Sequence, residues 1–278
     1  MFTVKLLQPI FKLGAAFHPS CYTSRPQMKV FVLIPAAGLG TRMSAAAGKS
    51  KASTSAAPVK QFAELGGVPI LIRTIRKFAA VGQVSEIHVA LRRPEADRFQ
   101  AGLAREGFRK PVHVVEGGEH RQQSVANALN AIKAKDDDIV LVHDAVRPFV
   151  ESDVISAVLA AAQKFGAAIA GLPAVDTVKQ VERTAQGAII SSTIPRERIV
   201  LAQTPQGFRF GVLKKAFDEA VADGFTGTDE AALVERSGHD VMVVMGSPQN
   251  IKITTPADLE LAEFLLSQES RRRGTLAG

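Results

Sequence analysis

At 278 residues, with 46% hydrophobic and 22% charged residues, the chain has the make-up of a globular protein able to bury a sizeable core. A single cysteine, Cys21, excludes an internal disulfide framework and the multi-cysteine zinc patterns, and it fits a reducing, cytoplasmic setting. The net charge of +7 is gathered at the ends, in Lys5, Lys12 and Arg25 and in Arg271, Arg272 and Arg273, so the body is close to neutral and lacks the footprint of a nucleic-acid-binding domain.

Residues 1–27 are basic, without acids, and only patchily apolar. Pro9 interrupts the apolar stretch, so a secretory signal is not expected; the segment reads as a disordered N-terminal extension, with an organelle transit peptide as the other reading. No stretch reaches the ~20 continuous apolar residues of a bilayer span, and no membrane partner is expected. Residues 28–270 are expected to form one domain. Its first element is a buried strand over 30–34, ended by Pro35 and followed by a loop containing Gly38, Gly40 and Arg42. A strand feeding a glycine-rich turn offers backbone N–H groups to phosphates, and Arg42 adds a permanent forked charge. The spelling excludes a Walker loop, and Met43 stands where the dinucleotide fingerprint needs its third glycine. A plain glycine turn with a surface arginine is the competing reading.

The Ala-, Ser-, Gly- and Lys-rich stretch 44–58 has no apolar period and is expected to be mobile. A helix over 68–81, a strand over 87–91, a charged helix from about Pro94, a strand over 112–115 and a helix over 120–134 follow. A strand over 139–142 and a helix over Ser152–Phe165 continue the alternation. Strands alternating with helices imply a mostly parallel, twisted sheet with helices on both faces. The pattern breaks at about 176–203, where short strands (177–182, 188–192) read as an inserted hairpin arm. Helices over 211–222 and 229–237, a strand over 241–245 and a last helix opened by Thr255-Pro256-Ala257-Asp258 complete the domain, and 271–278 reads as a basic flexible tail.

Ligands of such sheets lie beyond the carboxyl ends of the strands. There, Asp144 and Arg147 follow the strand over 139–142. Asp144 suits Mg²⁺, which accepts a carboxylate beside phosphates and waters, and Arg147 suits an anion; a surface Asp–Arg pair is the alternative. His143 reads as structural. Gly117-Gly118 lies on the same edge, or is an ordinary turn. Asp136-Asp137-Asp138 precedes its strand, on the other edge, and reads as a solvated turn. Lys60 and Lys252 stand beside the glycine loop and near the last strand. Thr204-Pro-Gln-Gly-Phe208 reads as a turn whose threonine could donate to a phosphate or simply cap the next element. No zinc spacing and no G-x-S-x-G elbow occurs.

The ordered set PAAGLGTRM, Lys60-Gln61-Phe62, GGEHRQQSV (117–125), VHDAVRPFV (142–150), Asp176-Thr177-Val178-Lys179, TPQGF, Thr228-Asp229-Glu230 and NIKIT resembles the 2-C-methyl-D-erythritol 4-phosphate cytidylyltransferase family over 29–266. The resemblance implies a Rossmann-like nucleotidyltransferase fold with a dimerising arm. It also implies cytidylyl transfer from CTP to 2-C-methyl-D-erythritol 4-phosphate with release of pyrophosphate, in isoprenoid precursor biosynthesis. Through it, Arg42 and Lys60 would stabilise the reacting triphosphate, and Asp144 would hold Mg²⁺. Ala36, Ala37, Gly38, Gly118 and Ser124 would hold the nucleoside, with Glu119 on the ribose side where the family often has aspartate. Arg147, Thr177, Arg196, Thr204 and Lys252 would hold the acceptor phosphate, Arg196 and Lys252 aiming it. Thr177 and Arg196 would act in a partner's site, implying a homodimer. The link 44–58 is longer than usual for the family, and Thr41 stands where arginine is common. Two other readings remain beside it: a ribitol-5-phosphate cytidylyltransferase, and a non-catalytic nucleotide- or nucleic-acid-binding protein using the basic ends.

Overall fold

The computed structural model describes residues 28–38 and 60–275. The expectations for 1–27 and for the glycine loop beyond Gly38, including Arg42 and the 44–58 link, lie outside the described residues. The first strand, β1 (Val30–Pro35), is apolar at nearly every position because it runs through the middle of a sheet covered on both faces. A short 3₁₀ turn at Lys60–Phe62 and a small hairpin of β2 (Glu64–Leu65) and β3 (Val68–Pro69) lead into helix α1 (Ile70–Ala79). Then come β4 (Glu86–Leu91), α2 (Arg93–Glu106), β5 (Val112–Glu116), α3 (Arg121–Ala131), β6 (Ile139–Val142) and α4 (Ser152–Phe165). Pro94 opens α2 and Gly107, at φ 61°, closes it, as expected of helix ends.

The sequence reading does not pick out the next strand, β7 (Ala167–Pro173), and takes part of another, β10 (Val200–Arg209), for a turn. β7 is mostly alanine and glycine, with little β-branched signal. β10 carries Pro205 and Gly207, yet it pairs with strands on both sides. It accommodates the proline where its register with β7 shifts between Ala202 and Gln206. Between β7 and β10, the hairpin of β8 (Val178–Thr184) and β9 (Gly187–Ile194) forms a two-stranded sheet that, among the described residues, pairs with no other strand. Helices α5 (Phe210–Ala222) and α6 (Glu230–Arg236), strand β11 (Met242–Met245) and helix α7 (Pro256–Thr275) finish the chain. The Asp229 carboxylate caps α6 by accepting the Ala232 N–H at 3.0 Å. α7 runs through Arg271 to Thr275, so the arginine run continues a helix; arginine is a good helix former, and no proline interrupts it after Pro256.

The seven-stranded sheet has the order β11-β7-β10-β6-β1-β4-β5. β10 is antiparallel to β6 and β7, and the other pairs are parallel. One face buries Val32, Ile34, Val89 and Leu141 against Ile75 and Phe78 of α1, Phe99 of α2 and Ile155, Val158 and Leu159 of α4. The other buries Phe31, Leu33, Val140 and Phe208 against Leu129 of α3, Leu213 and Phe217 of α5 and Val234 of α6. The mostly parallel α/β sheet with helices on both faces thus forms as its alternating elements predict. Among the described residues, no helix is long and apolar enough to cross a membrane. Asp138, read as part of a solvated turn, is buried: its carboxylate accepts the N–H groups of Lys29 at 2.8 Å and Lys135 at 2.7 Å.

Candidate active site

The carboxyl ends of β1, β4, β5 and β6 frame a cleft of about 220 Å³ lined by Ala36, Ala37, Gly38, Lys60, Gly118, Glu119, Arg121, Ser124, Asp144 and Lys252, among others. Its floor is backbone. The Ala36 N–H donates to Ala90 C=O at 2.8 Å, extending the β1–β4 ladder by a step. The Ala36 carbonyl accepts from the buried Gln61 amide, and the Ala37 carbonyl accepts from Arg92 Nε at 2.8 Å. Both carbonyls are therefore held from behind by side chains. Across the cleft, the Gly117 N–H donates to Leu91 C=O at 2.7 Å, and a Cβ on Gly117 would collide with the Ala37 methyl. Glycine is required there because the two loops touch. Ser124 accepts the Gly118 N–H at 3.0 Å and donates to His120 C=O at 3.1 Å, which stiffens the second loop.

At one side of the cleft three cations converge on one carboxylate. Asp144 Oδ2 lies 2.9 Å from Lys252 Nζ and 3.2 Å from Arg147 Nε, and Oδ1 lies 3.3 Å from Arg121 Nε. The Asp144 side chain is only 8% exposed. Burial alone would raise its pKa, but Arg121, Lys252 and Arg147 outweigh burial and hold the carboxyl well below the usual carboxylate range. Arg121, the first residue of α3, also clasps Glu230, the first residue of α6, through Nη1 at 2.6 and 2.9 Å. Burial lowers the guanidinium's pKa, and the two carboxylates more than reverse that, so Arg121 stays charged. Glu230 is wholly buried, and burial pushes its pKa up despite Arg121.

A second layer positions the first. The Asp144 N–H donates to Thr204 Oγ1 at 3.1 Å, and Thr204 Oγ1 is 3.0 Å from His143 Nδ1. His143 Nε2 lies 3.1 Å from Arg147 C=O, which can only accept. The proton is thereby assigned to Nε2, and the threonine hydroxyl donates to Nδ1. Burial lowers the His143 pKa to about 4, so the ring is neutral in this chain. Arg147 Nη1 donates to Asn250 C=O at 2.7 Å, Asn250 Nδ2 donates to Thr204 C=O at 2.7 Å, and the Ile253 N–H donates to Val146 C=O at 3.0 Å. Lys252 is presented between those two anchors.

Of the residues singled out from sequence, the fold gathers Ala36, Ala37, Gly38, Lys60, Gly118, Glu119, Ser124, Asp144 and Lys252 around the cleft. Arg147 is joined to them through Asp144. Thr204 lies in strand β10 and not in a turn, with its hydroxyl hydrogen committed to His143. Thr177 and Arg196 are exposed at the base of the arm and do not line this cleft; Arg196 Nη1 donates to Val175 C=O at 2.8 Å. Arg121 and Glu230 are the pair that sequence reasoning did not single out, although both lie in quoted motifs. The available signal is positional: Arg121 opens a helix after the loop that leaves β5, and Glu230 opens one directly after a capping aspartate.

Glycine-bearing strand-to-helix turns and a cation-ringed carboxylate at the carboxyl edge of a mostly parallel sheet are the features of an α/β protein that handles a phosphorylated, nucleotide-like ligand. A family model described as 2-C-methyl-D-erythritol 4-phosphate cytidylyltransferase (IspD) matches residues 30–268, and the chain belongs to that family. A protein of that name from Acidobacterium capsulatum is 61% identical over 245 residues, which is 88% of this chain and all of the relative. One from Solibacter usitatus is 50% identical over 88% of this chain and 98% of its own. Among solved structures, the enzyme of that name from Francisella tularensis superposes with a TM-score of 0.69 at 37% identity, covering 85% of this chain and 99% of that one. The Thermus thermophilus enzyme gives 0.65 at 35% identity, covering 86% and 98%.

Proposed function

We infer that this chain transfers a cytidylyl group from CTP to 2-C-methyl-D-erythritol 4-phosphate, giving 4-diphosphocytidyl-2-C-methyl-D-erythritol and pyrophosphate for isoprenoid precursor biosynthesis. The observation that carries the reading is the trio Arg121, Arg147 and Lys252 on Asp144, beside two backbone-lined loops. The attacking group is a phosphate monoester, anionic at neutral pH, so no general base is needed. The barrier lies in bringing anions together while charge grows on the α-phosphate and the leaving pyrophosphate. Preplaced cations lower it by positioning and electrostatics.

The roles are those the family resemblance implies. Ala36, Ala37, Gly38, Gly118, Glu119 and Ser124 would surround cytosine and ribose, Arg42 and Lys60 the triphosphate, and Arg147 and Lys252 the acceptor phosphate, while Thr204, its hydroxyl already paired, would hold the Asp144 backbone. Enzymes of this class use a divalent cation. Asp144 fits Mg²⁺, since it is a lone ionised oxygen donor of the kind that ion accepts alongside phosphates. Mg²⁺ bound there would neutralise triphosphate charge. The three cations already on Asp144 mean that incoming phosphates must draw Lys252 and Arg147 toward themselves before this carboxylate is open to another partner.

The hairpin of β8 and β9 exposes Val181 (45%), Ile189 (64%) and Ile190 (60%), and neighbouring Leu201 is 56% exposed. Apolar area of this kind supports a homodimer formed through the arm, with Thr177 and Arg196 completing the partner's cleft. Residues 28–270 would then act as one catalytic domain, in the cytoplasm, since the substrates are phosphorylated anions that do not cross membranes unaided. The ribitol-5-phosphate reading is not favoured by the family match.

The deciding experiment measures pyrophosphate released from CTP with each acceptor in turn. Release that needs both Mg²⁺ and methylerythritol phosphate is expected. A well-folded protein that is silent with this acceptor, or faster with ribitol 5-phosphate, would overturn the reading. Arg42→Ala and Lys60→Ala should each cost about 3–4 kcal/mol in kcat with little change in KM, the scale of one transition-state donor.

A further inference from the structure

A second group of metal-seeking side chains lies at the opposite end of the sheet from the cleft. Glu86 opens β4, and His88 follows two residues on, so both point to the same face. The parallel ladder then sets His88 beside His113 of the edge strand β5. Glu86 Oε2 is 3.4 Å from His88 Nε2 and 3.6 Å from His113 Nε2, and the three ligand atoms all lie within 4.8 Å of one another. Ligands of a tetrahedral zinc at roughly 2.0–2.1 Å stand about 3.3–3.4 Å apart, so both histidine–glutamate edges are close to those of a zinc site.

We propose that Glu86, His88 and His113 form a binding site for a borderline divalent cation, zinc foremost, with water in the fourth position. Two imidazoles and one carboxylate suit zinc and not magnesium, which prefers oxygen alone. This separates the site from the one proposed at Asp144 in chemistry as well as in place. The frame is rigid, because all three residues stand on paired strands and His88 is backed by the Phe31 ring at 6.3 Å between centroids. The His88 and His113 rings stack at 4.7 Å with an interplanar angle of 28°, so convergence on one ion needs a rotation of the half-exposed His113. Without metal, His88 Nε2 faces the Glu86 carboxylate at 3.4 Å; ligation through Nε2 moves the ring proton to the buried Nδ1, which has no hydrogen-bond partner, a cost the metal bond must exceed. Lys29 Nζ is 3.6 Å from Glu86 Oε1, which weakens the site electrostatically but leaves Oε2 to the metal. Glu86 and Leu91 bound β4, about 16 Å apart at ~3.3 Å per residue, so a metal here would staple the edge strand and take no part in transfer.

The full-length protein, stripped with EDTA and kept in millimolar Mg²⁺, is titrated with Zn²⁺ against a chromophoric chelator. One zinc per chain is expected, together with a rise in thermal midpoint and, with Co²⁺ in its place, the intense visible absorption of a tetrahedral site. His113→Ala, at the exposed edge, and Glu86→Gln should each weaken zinc at least about tenfold, a loss seen even for outer-shell partners. Their metal-free melting should match wild type, and His239→Ala should bind as wild type does. Absence of stoichiometric zinc, or unchanged affinity in either His113→Ala or Glu86→Gln, would overturn the proposal.

Discussion

Arg121 is the residue on which the site's electrostatics turn, because it is shared by Asp144 and the fully buried Glu230. Removing it leaves a carboxylate in the interior without its cation, which is far costlier than losing a surface pair. Arg121→Ala is expected to lose about 3–5 kcal/mol in chemical denaturation, and Glu230→Gln added to it should recover part of that loss. Asp144 and Arg147 are legible in the sequence because charged residues just past a buried apolar strand have few structural reasons to be there, whereas Lys252 is a weak signal alone and stands out only within the NIKIT motif. Arg121 and Glu230 are not legible. An arginine opening a helix and a glutamate after a capping aspartate look like ordinary helix starts, and only the fold shows that the two helix starts meet. Thr204 was noticed but misplaced, since proline and glycine around it imitate a turn.

Among elements, the alternating strands and helices from 30 to 165 are readable because β1 and β6 are unbroken apolar runs, β4 and β5 are mostly apolar, and apolar stripes mark α1 and α4 between and after them. β7 and β10 are harder. An alanine-rich strand following an alanine-rich helix has no change of period to mark it, and a strand containing Pro205 is recognisable only when its bulge is seen. The β8–β9 hairpin is legible from its turn residues and alternation, and its Val181, Ile189 and Ile190 side chains are exposed. Ile190→Lys should convert the dimer proposed here to monomer in sedimentation velocity. Monomer–dimer behaviour equal to wild type would remove the arm from the interface. Turnover should fall with dimerisation if Thr177 and Arg196 serve the partner's cleft.

For the molecule as a whole, the neutral, buried His143 ties stability to pH. Its pKa is about 4 in the fold against 6.5 ordinarily, so between these values the unfolded chain binds more protons than the native one. Stability is then complete above pH 6.5 and declines as pH falls toward 4, by about 3 kcal/mol in all at 1.36 kcal/mol per tenfold change in proton affinity. Asp144, held below the usual carboxylate range, extends the loss to more acid solution. Urea denaturation at pH 7 and pH 4.5 measures the slope, and His143→Gln should make it shallower, leaving the part that belongs to His88, whose pKa burial also lowers.

β10 runs from the base of the arm at Val200 to Thr204, which holds the Asp144 backbone, and through its register shift against β7 on to Gln206, whose Nε2 donates to Asp229 Oδ2 at 2.7 Å at the start of α6. The spacing along that stretch therefore acts as a ruler. Extra residues at the arm's tip, between Thr184 and Gly187, would only enlarge a loop in water. A single insertion between Val200 and Thr204 would slip the pairing by one and turn the hydroxyl to the wrong face. A scan of one-glycine insertions read by CTP turnover should find tolerance at the tip and inactivity along the ruler.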